Sequence, residues 1–394
     1  MKTACLFSAV LLCGAALGCP YSIRDAGFIV RDPEPFRLVV FHDPVMSITR
    51  GAMELEAKAA QEKHLKLSDV VMEVLATGTA GDEADRAAQL REDLTQKGAR
   101  PPRAVLISPE GRGMVAHGSE APLDRAWYEN LARLAVTSPA RQQIADLLVP
   151  SWCVLLVVQG KDAAENAAVL EAVQQAAQSM VGFKPEMGDT VTKAPPVVSV
   201  KWDDPQEQVL IWSLGLADHG ESAAKAAILF GRGRRLGPVF WGATITAETL
   251  KQGMRLLGRN CTCTSEPAQI LGPVMPLRWD RDRQAQAREA LGFDPDAPAA
   301  LSALSGVWVD FRQGGEKRTP GEYLPDPASG YIELPLDMGE GAGEPGQEGE
   351  EERGETRPEA ENVGMRAAIA ATVGLAVLVA GGSAVLIMRR HGSV

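Results

Sequence analysis

The sequence is poor in the residues that most often carry chemistry. Aromatic residues make up 5% of its 394 positions, histidine occurs five times and cysteine six times. His64, His117 and His219 are scattered without the spacing of metal ligands, and no four-ligand zinc pattern occurs. Basic surface is also scarce, because 40 Lys and Arg face 51 Asp and Glu for a net charge of −11. An acidic chain of this kind does not track phosphates, so no nucleic-acid partner is expected. No glycine-rich phosphate loop leads into a helix, and no nucleophile, base and orienting group stand together.

Against these shortages stands one long hydrophobic run. Ala367 to Met388 contains no charged residue and is followed at once by Arg389, Arg390 and His391. At about 1.5 Å per residue such a run crosses a hydrocarbon core about 30 Å thick. Residues 365–388 are therefore expected to form a transmembrane helix, with residues 389–394 as a cytoplasmic tail and everything before them outside. Ala368, Thr372, Ala376, Ala380 and Ala384 recur every four residues, a stripe of small side chains suited to close packing against another helix. The membrane, and a membrane-protein partner, are the expected partners.

The other end carries a second targeting signal. Lys2 precedes an apolar run from Ala4 to Ala16, and Ala16, Leu17 and Gly18 supply small residues before Cys19. Residues 1–18 are expected to be a signal peptide. Ala16-Leu17-Gly18-Cys19 also resembles the bacterial lipobox, which prefers Leu where Ala16 stands. Two readings stay open: lipidation of Cys19, or plain cleavage that leaves it as a free or paired thiol.

Between the signals, Glu340 to Glu361 holds nine Glu against two Arg, a net −7, among Gly and Pro with almost no large apolar residue. Such a segment cannot bury enough surface to offset the entropy of ordering. Residues 339–364 are expected to be an acidic disordered tether between the folded part and the membrane.

The folded part alternates strands and helices. Strands are predicted at Phe36 to Phe41, Val70 to Leu75, Ala104 to Ile107 and Gly113 to His117, with helices at Ile48 to His64, Ala84 to Lys97 and Leu123 to Val136. The order then repeats. Cys153 to Val158 is a strand and Ala163 to Met180 a helix; Val197 to Trp202 and Val209 to Trp212 are predicted strands. Ala227 to Phe230 and Pro238 to Trp241 form a hairpin before a helix at Thr246 to Leu257. Even the exits are expected to correspond, Ser138-Pro139-Ala140 in the first unit and Pro267-Ala268 in the second. Near-constant offsets between matching landmarks favour a duplicated domain, with units at 19–150 and 151–266. Residues 267–338 read as an extension packed on the second unit, opening with a helix for which Asp280 is the N-cap.

The β-α-β-α-β-β-α order, with Pro102 close before the third strand and Ser108-Pro109-Glu110-Gly111 turning after it, resembles the thioredoxin-like fold. The resemblance implies two tandem α/β domains, each a mixed sheet with flanking helices, and a cis Pro102 lying against the active site. It is negative for activity. Where the family's Cys-x-x-Cys follows the first strand, this chain reads His42-Asp43-Pro44-Val45-Met46-Ser47 in one unit and Gln159-Gly160-Lys161-Asp162-Ala163 in the other. Without a low-pKa thiolate at a helix N-terminus the usual dithiol chemistry has no nucleophile there.

Four cysteines remain after signal removal: Cys19, Cys153, Cys261 and Cys263. Cys153 opens an apolar strand and reads as a small buried hydrophobe. Cys261-Thr262-Cys263 offers three readings: a strained redox-active disulfide, a Cu(I) site of two soft thiolates, or structural thiols that bridge elsewhere, for example to Cys19. No cofactor is otherwise expected. Arg232, Arg234 and Arg235 lie in Gly231-Arg232-Gly233-Arg234-Arg235, a predicted hairpin turn with solvated charges or, alternatively, a contact for an anion or lipid headgroup. The expectation on function is a non-enzymatic interaction or scaffold subunit of the bacterial envelope, with thiol redox or Cu(I) chemistry at Cys261 and Cys263 as the alternative.

Overall fold

A computed structural model describes residues 20–29, 34–43, 48–76, 88–89, 91–92, 103–116, 123–217, 223–260 and 270–304. The chain divides into Met1–Pro335 and Leu336–Val394, and every described residue belongs to the first of these units.

Two sheets organise the described residues. The first has strands β1 (Phe36–His42), β2 (Val70–Ala76), β3 (Ala104–Ile107) and β4 (Gly113–Val115) in the order β2-β1-β3-β4. β1 and β2 run parallel, whereas β3 is antiparallel to β1 and β4 to β3. The second sheet has β5 (Val154–Gln159), β6 (Val197–Lys201), β7 (Lys225–Phe230), β8 (Arg234–Trp241) and β9 (Leu271–Val274) in the order β6-β5-β7-β8-β9. Its first four strands repeat both the order and the directions of the first sheet. The described chain is thus a mixed α/β structure of two equivalent sheets with flanking helices, the topology that the resemblance implies.

Strand periodicity assigns the faces, because successive side chains point to opposite sides. In β1, Phe36, Leu38 and Val40 pack with Met53 and Ala57 of helix α2 (Arg50–Ala60) and with Tyr128 and Leu131 of helix α3 (Arg125–Val136). Val39 and Phe41 face the other way, where Val105 and Ile107 join them and Arg91 lies over the Phe41 ring at 4.8 Å. In β5, Leu155 and Val157 pack against α5 (Ala163–Ser179) and α7 (Ala247–Leu256), while Val154, Leu156 and Val158 meet α4 (Pro139–Leu148) and α6 (Gln208–Ser213). Side-chain oxygens of Thr49, Asp124, Ser138, Asp162, Thr246 and Asp280 accept from first-turn amides of the helices they precede, supplying the N-caps that those amides need.

Four features differ from the sequence reading. The run Val209 to Trp212, expected as a strand, lies in helix α6. Leu210 and Ile211 enter the core of the second half, while Val209 and Trp212 pack on the core of the first. A short helix buried on two sides is apolar all round, and its sequence then loses the helical period. The predicted helix from Ile48 to His64 is α-helical only to Ala60 and continues as a π-helical turn, Gln61–Leu65. The matched exits diverge, since Pro139 opens α4 whereas the second half continues into β9, a fifth strand contributed by the expected extension. Finally, helix α1 (Ile23–Ile29), assigned by sequence order to the first unit, packs on the second sheet. Ile23 joins that sheet's core, and Gly27 and Gly231 meet so closely that a Cβ on Gly231 would stand 2.2 Å from the Gly27 carbonyl.

No described helix is long and apolar enough to cross a membrane. The expected anchor with its small-residue stripe, the acidic tether, the signal peptide, Pro102 and most of the expected helix from Ala84 to Lys97 lie outside the described residues.

Candidate functional site

In this topology the loop after the central strand β1, and its counterpart after β5, lead into helix N-termini where donor amides converge. In the first half, His42 ends β1 and its Nε2 lies 3.1 Å from the Ile48 carbonyl. Thr49 follows, and its hydroxyl accepts from the Ala52 amide of α2 at 3.3 Å. In the second half side chains tie the loop. The Asn166 side chain accepts from the Gly160 amide at 2.8 Å and donates back to the Gly160 carbonyl at 3.0 Å. Oδ1 of Asp162 accepts from the amides of Ala164 at 2.7 Å and Glu165 at 3.1 Å. Lys161 lies over the Trp202 ring at 4.8 Å.

The consequence is electrostatic. A helix N-terminus activates a thiol by stabilising its thiolate with the orphan amides of the first turn. Here those amides already serve a carboxylate at Asp162 and a hydroxyl at Thr49. The described cysteine, Cys153, is wholly enclosed at the start of β5, where burial pushes its thiol up, against a smaller opposing pull from Arg24. A thiol so displaced stays protonated and inert.

Of the sites proposed from sequence, the three turn arginines are described, and their side chains are turned inward rather than solvated. Arg232 donates from Nε to the Phe28 carbonyl at 2.6 Å, pairs with Asp296 at 2.6 Å and lies over Trp279 at 5.4 Å. Arg234 opens β8 and donates to the Gly272 carbonyl at 2.8 Å. Arg235 donates to the carbonyls of Leu214 at 2.5 Å and Gly237 at 3.0 Å. An exposed anion or headgroup contact therefore gives way to an internal role. Arginine's planar fork suits it to satisfying several backbone acceptors at once, and a motif of Gly and Arg does not reveal whether those acceptors belong to a ligand or to the chain itself. Cys19, Cys261 and Cys263 lie outside the described residues. Among the described residues, no three His, Cys, Asp or Glu side chains converge to hold a metal ion. His64 sits 3.8 Å from Glu129, whose carboxyl is held low chiefly by its hydrogen bond from Lys63.

Sequence reasoning missed a set of charged groups where the halves meet. Arg141 is fully buried, and its guanidinium donates to the carbonyls of Leu134 at 2.6 Å and Ala135 at 2.7 Å, the last turn of α3. Glu207, 2% exposed, accepts at 2.5 Å from the Ser138 hydroxyl and at 2.8 Å from the Ala140 amide, the first turn of α4. A cation at a helix C-terminus and an anion at a helix N-terminus both match the helix dipole. Arg112, in the turn between β3 and β4, donates to the carbonyls of Trp212 at 3.1 Å and Ser213 at 2.8 Å. Ser138-Pro139, read from sequence only as an exit from the first unit, caps and opens α4; a buried Arg or Glu carries no signature in a single sequence.

Beside these ties, a cleft of about 40 Å³ opens between the first sheet and the turn before α6, lined by Leu38, Leu106, Met114, Leu131 and Val209. That volume holds a water or a methyl group, far below the several hundred Å³ of a ligand pocket.

No protein-family model and no curated protein matches this chain. Among solved structures it is similar to the first two thioredoxin domains of Saccharomyces cerevisiae Eps1p, at 11% identity and a TM-score of 0.20, covering 56% of this chain and 92% of that one. The first two thioredoxin domains of Naumovozyma dairenensis Eps1p give 10% identity and a TM-score of 0.20, covering 62% and 98%. At such TM-scores the likeness carries no argument, and the fold rests on the order and direction of the strands.

Proposed function

We propose that this chain is a non-enzymatic interaction or scaffold subunit of the bacterial envelope, accessory to another membrane complex. Its tandem thioredoxin-like part stands outside the cytoplasmic membrane, joined by the acidic tether to a single C-terminal helix. The observation that carries this reading is the capping of the two helices that follow β1 and β5. Thr49 and Asp162 occupy the amides that a catalytic thiolate needs. A fold that keeps its scaffold while its reactive position is filled by capping groups has surface and shape left to offer, and these serve binding. The small-residue stripe from Ala368 to Ala384 supplies a contact for a partner helix.

The test uses the full-length chain in membranes. Dithiol-dependent disulfide reduction should be absent, and neither Cys261→Ser nor Cys263→Ser should change that. Crosslinking to a membrane partner should fall when Ala376 and Ala380 become Leu, and fall less when Val373 and Val377 do. Reductant-dependent turnover, or stoichiometric Cu(I), lost on removal of Cys261 or Cys263 would replace this reading with the thiol alternative.

A further inference from the structure

The two sheets differ at one edge. In the second, β9 lies antiparallel on β8, whereas in the first β4 ends the sheet and no described strand pairs with its outer side. The register matches the edges residue by residue. Leu106 pairs with Leu38 and Met114, as Ile228 pairs with Leu155 and Leu236, so Met114 stands in β4 where Leu236 stands in β8. Opposite Leu236, β9 sets Leu271, which joins the core of the second half. The chain just past β9 is bonded to the same edge, the Met275 amide donating to the Gly233 carbonyl at 3.1 Å.

The outer side of β4 has the same groups to offer. The Ser108 amide donates to the Arg112 carbonyl at 2.8 Å and the Ala116 amide to the Ala104 carbonyl at 3.1 Å. The alternation of an antiparallel ladder then turns the amides and carbonyls of Gly113 and Val115 away from β3. Each half also has a cleft between this hairpin and its closing helix. In the second half it measures about 10 Å³, and Ile270, the residue before β9, stands in its wall with Leu236 and Leu256. In the first it measures about 40 Å³, is walled by Leu106, Met114, Ala116 and Leu131, and has Gln206 and Val209 on its far side instead of an added strand. The other sheet edges are guarded. On β2 the amides of Val70 and Met72 donate to Ser68 Oγ at 3.2 Å and Gln61 Oε1 at 2.9 Å, and β6 ends on an exposed Lys201, a residue type that discourages strand addition.

We propose that β4 takes up an extended, uncharged segment of a partner protein as a fifth, antiparallel strand, with a Leu or Ile opposite Met114 whose methyl tip enters the cleft. The inference rests on the interaction role proposed above and gives that role its chemistry. The precedent is the chain's own second half, where Leu271–Val274, a strand without charge, covers the equivalent edge. Gly113–Val115 is likewise uncharged and half-buried. In such an addition the main-chain bonds supply affinity, and the pocket for one side chain supplies selectivity.

The probe is a synthetic peptide with the sequence of Ile270–Met275 and a photoreactive diazirine on its leucine, added to the full-length protein in detergent. Irradiation should label Met114 or Leu131 saturably. Unlabelled peptide should compete, and the same peptide with Ser in place of its leucine should compete about tenfold less well, a change that leaves the protein untouched. Val115→Pro removes an outward amide without breaking the ladder to β3, and Ala116→Leu fills the cleft. Each should weaken labelling about tenfold while the urea midpoint stays near the parent's. Should Val115→Pro unfold, Ala116→Leu and the Ser peptide decide alone. Labelling that does not saturate, equal competition by the two peptides, or labelling that survives Ala116→Leu and is lost in Ser199→Pro on β6 would each overturn the proposal. A parent that dimerises through β4 without taking up peptide would replace the partner segment by a second copy of this chain. Crosslinking that still depends on Ala376 and Ala380 when peptide labelling fails would sink the strand addition and leave the interaction role standing; failure of both would remove the role as well.

Discussion

Glu207 of the second half holds the Ser138 hydroxyl of the first at 2.5 Å, in a place from which water is excluded. The same carboxylate caps the Ala140 amide, and Ser138 in turn accepts from Arg141 Nε at 3.0 Å. One buried charge thus orders the start of α4 while its opposite, on Arg141, closes the end of α3. Replacing Glu207 by Ala leaves the Ser138 hydroxyl and the Ala140 amide without their acceptor and the Arg141 cation without the carboxylate that most offsets its burial. The expected loss is about 3 kcal/mol. Urea unfolding should show a lowered midpoint; a change within about 0.5 kcal/mol would mean that the carboxylate is dispensable.

The seat of α1 gives a second expectation. Gly231 has a φ of +59° and lies against the Gly27 backbone, and the Arg232 amide donates to the Gly27 carbonyl at 3.1 Å. Gly231→Ala meets both a conformation that L residues avoid and a backbone contact that cannot yield. It should cost about 2–4 kcal/mol. Gly111→Ala is the control, since its φ is +84° but its Cβ meets nothing within 4 Å, so only the smaller conformational penalty of about 1 kcal/mol applies. Equal losses in the two variants would show that the contact between Gly27 and Gly231 contributes nothing. Proteolysis near residue 30 should rise in the first variant and not in the control.

The duplicated α/β order was legible because its strands are short apolar runs punctuated by Gly and Pro, and the helix after Asp280 because that residue announces its N-cap locally. What escaped were relationships made across distance. Leu210 and Trp212 looked like strand residues because α6 is buried from both sides. Arg232, Arg234 and Arg235 looked solvated because their acceptors, the carbonyls of Phe28, Gly272 and Leu214, are far away in sequence. Ile23 sits near Phe36 in the chain but in the core of the other sheet, and local pattern does not encode that choice. The missing dithiol was readable at once; that Asp162 and Thr49 fill its electrostatic place needed coordinates.

Tyr128 supplies a pH test. Its hydroxyl is buried without a hydrogen-bond partner, and burial, aided by the Glu56 charge, pushes its pKa up to about 12. Between pH 10 and 12 the unfolded chain has released this proton while the folded chain retains it, so stability is full below pH 10 and falls as pH rises through that window. Arg141, held down to about 10 chiefly by burial, has the opposite slope in the same range. The informative quantity is therefore the difference between the parent and Tyr128→Phe. The variant should match the parent within about 1 kcal/mol at pH 7, because the hydroxyl it lacks makes no bond. It should lose less stability between pH 10 and 12, and parallel curves would refute the assignment.

Asp162 offers the most direct probe of whether the site retains the electrostatics of a thiol-activating helix. Its carboxylate accepts from the amides of Ala164 and Glu165 at the head of α5, a helix of 17 residues. In Asp162→Cys a thiol takes that place, and the amides that served the carboxylate should stabilise the thiolate and lower its pKa. The expected signature is alkylation near pH 6.5 at several times the rate of Glu171→Cys, an exposed position on the same helix away from its terminus. The cap weakens, so stability should fall by about 1 kcal/mol. Asp162→Cys alone should still not turn over disulfides, because no second thiol stands a helical turn further on to resolve the mixed disulfide. Adding Glu165→Cys restores a Cys-x-x-Cys spacing at the position the topology reserves for it, and dithiol-dependent reduction should then appear. Equal alkylation rates at positions 162 and 171 would show that this helix end does not activate a thiol, and the absence of chemistry here would then reside in the loop's shape rather than in its capping residues.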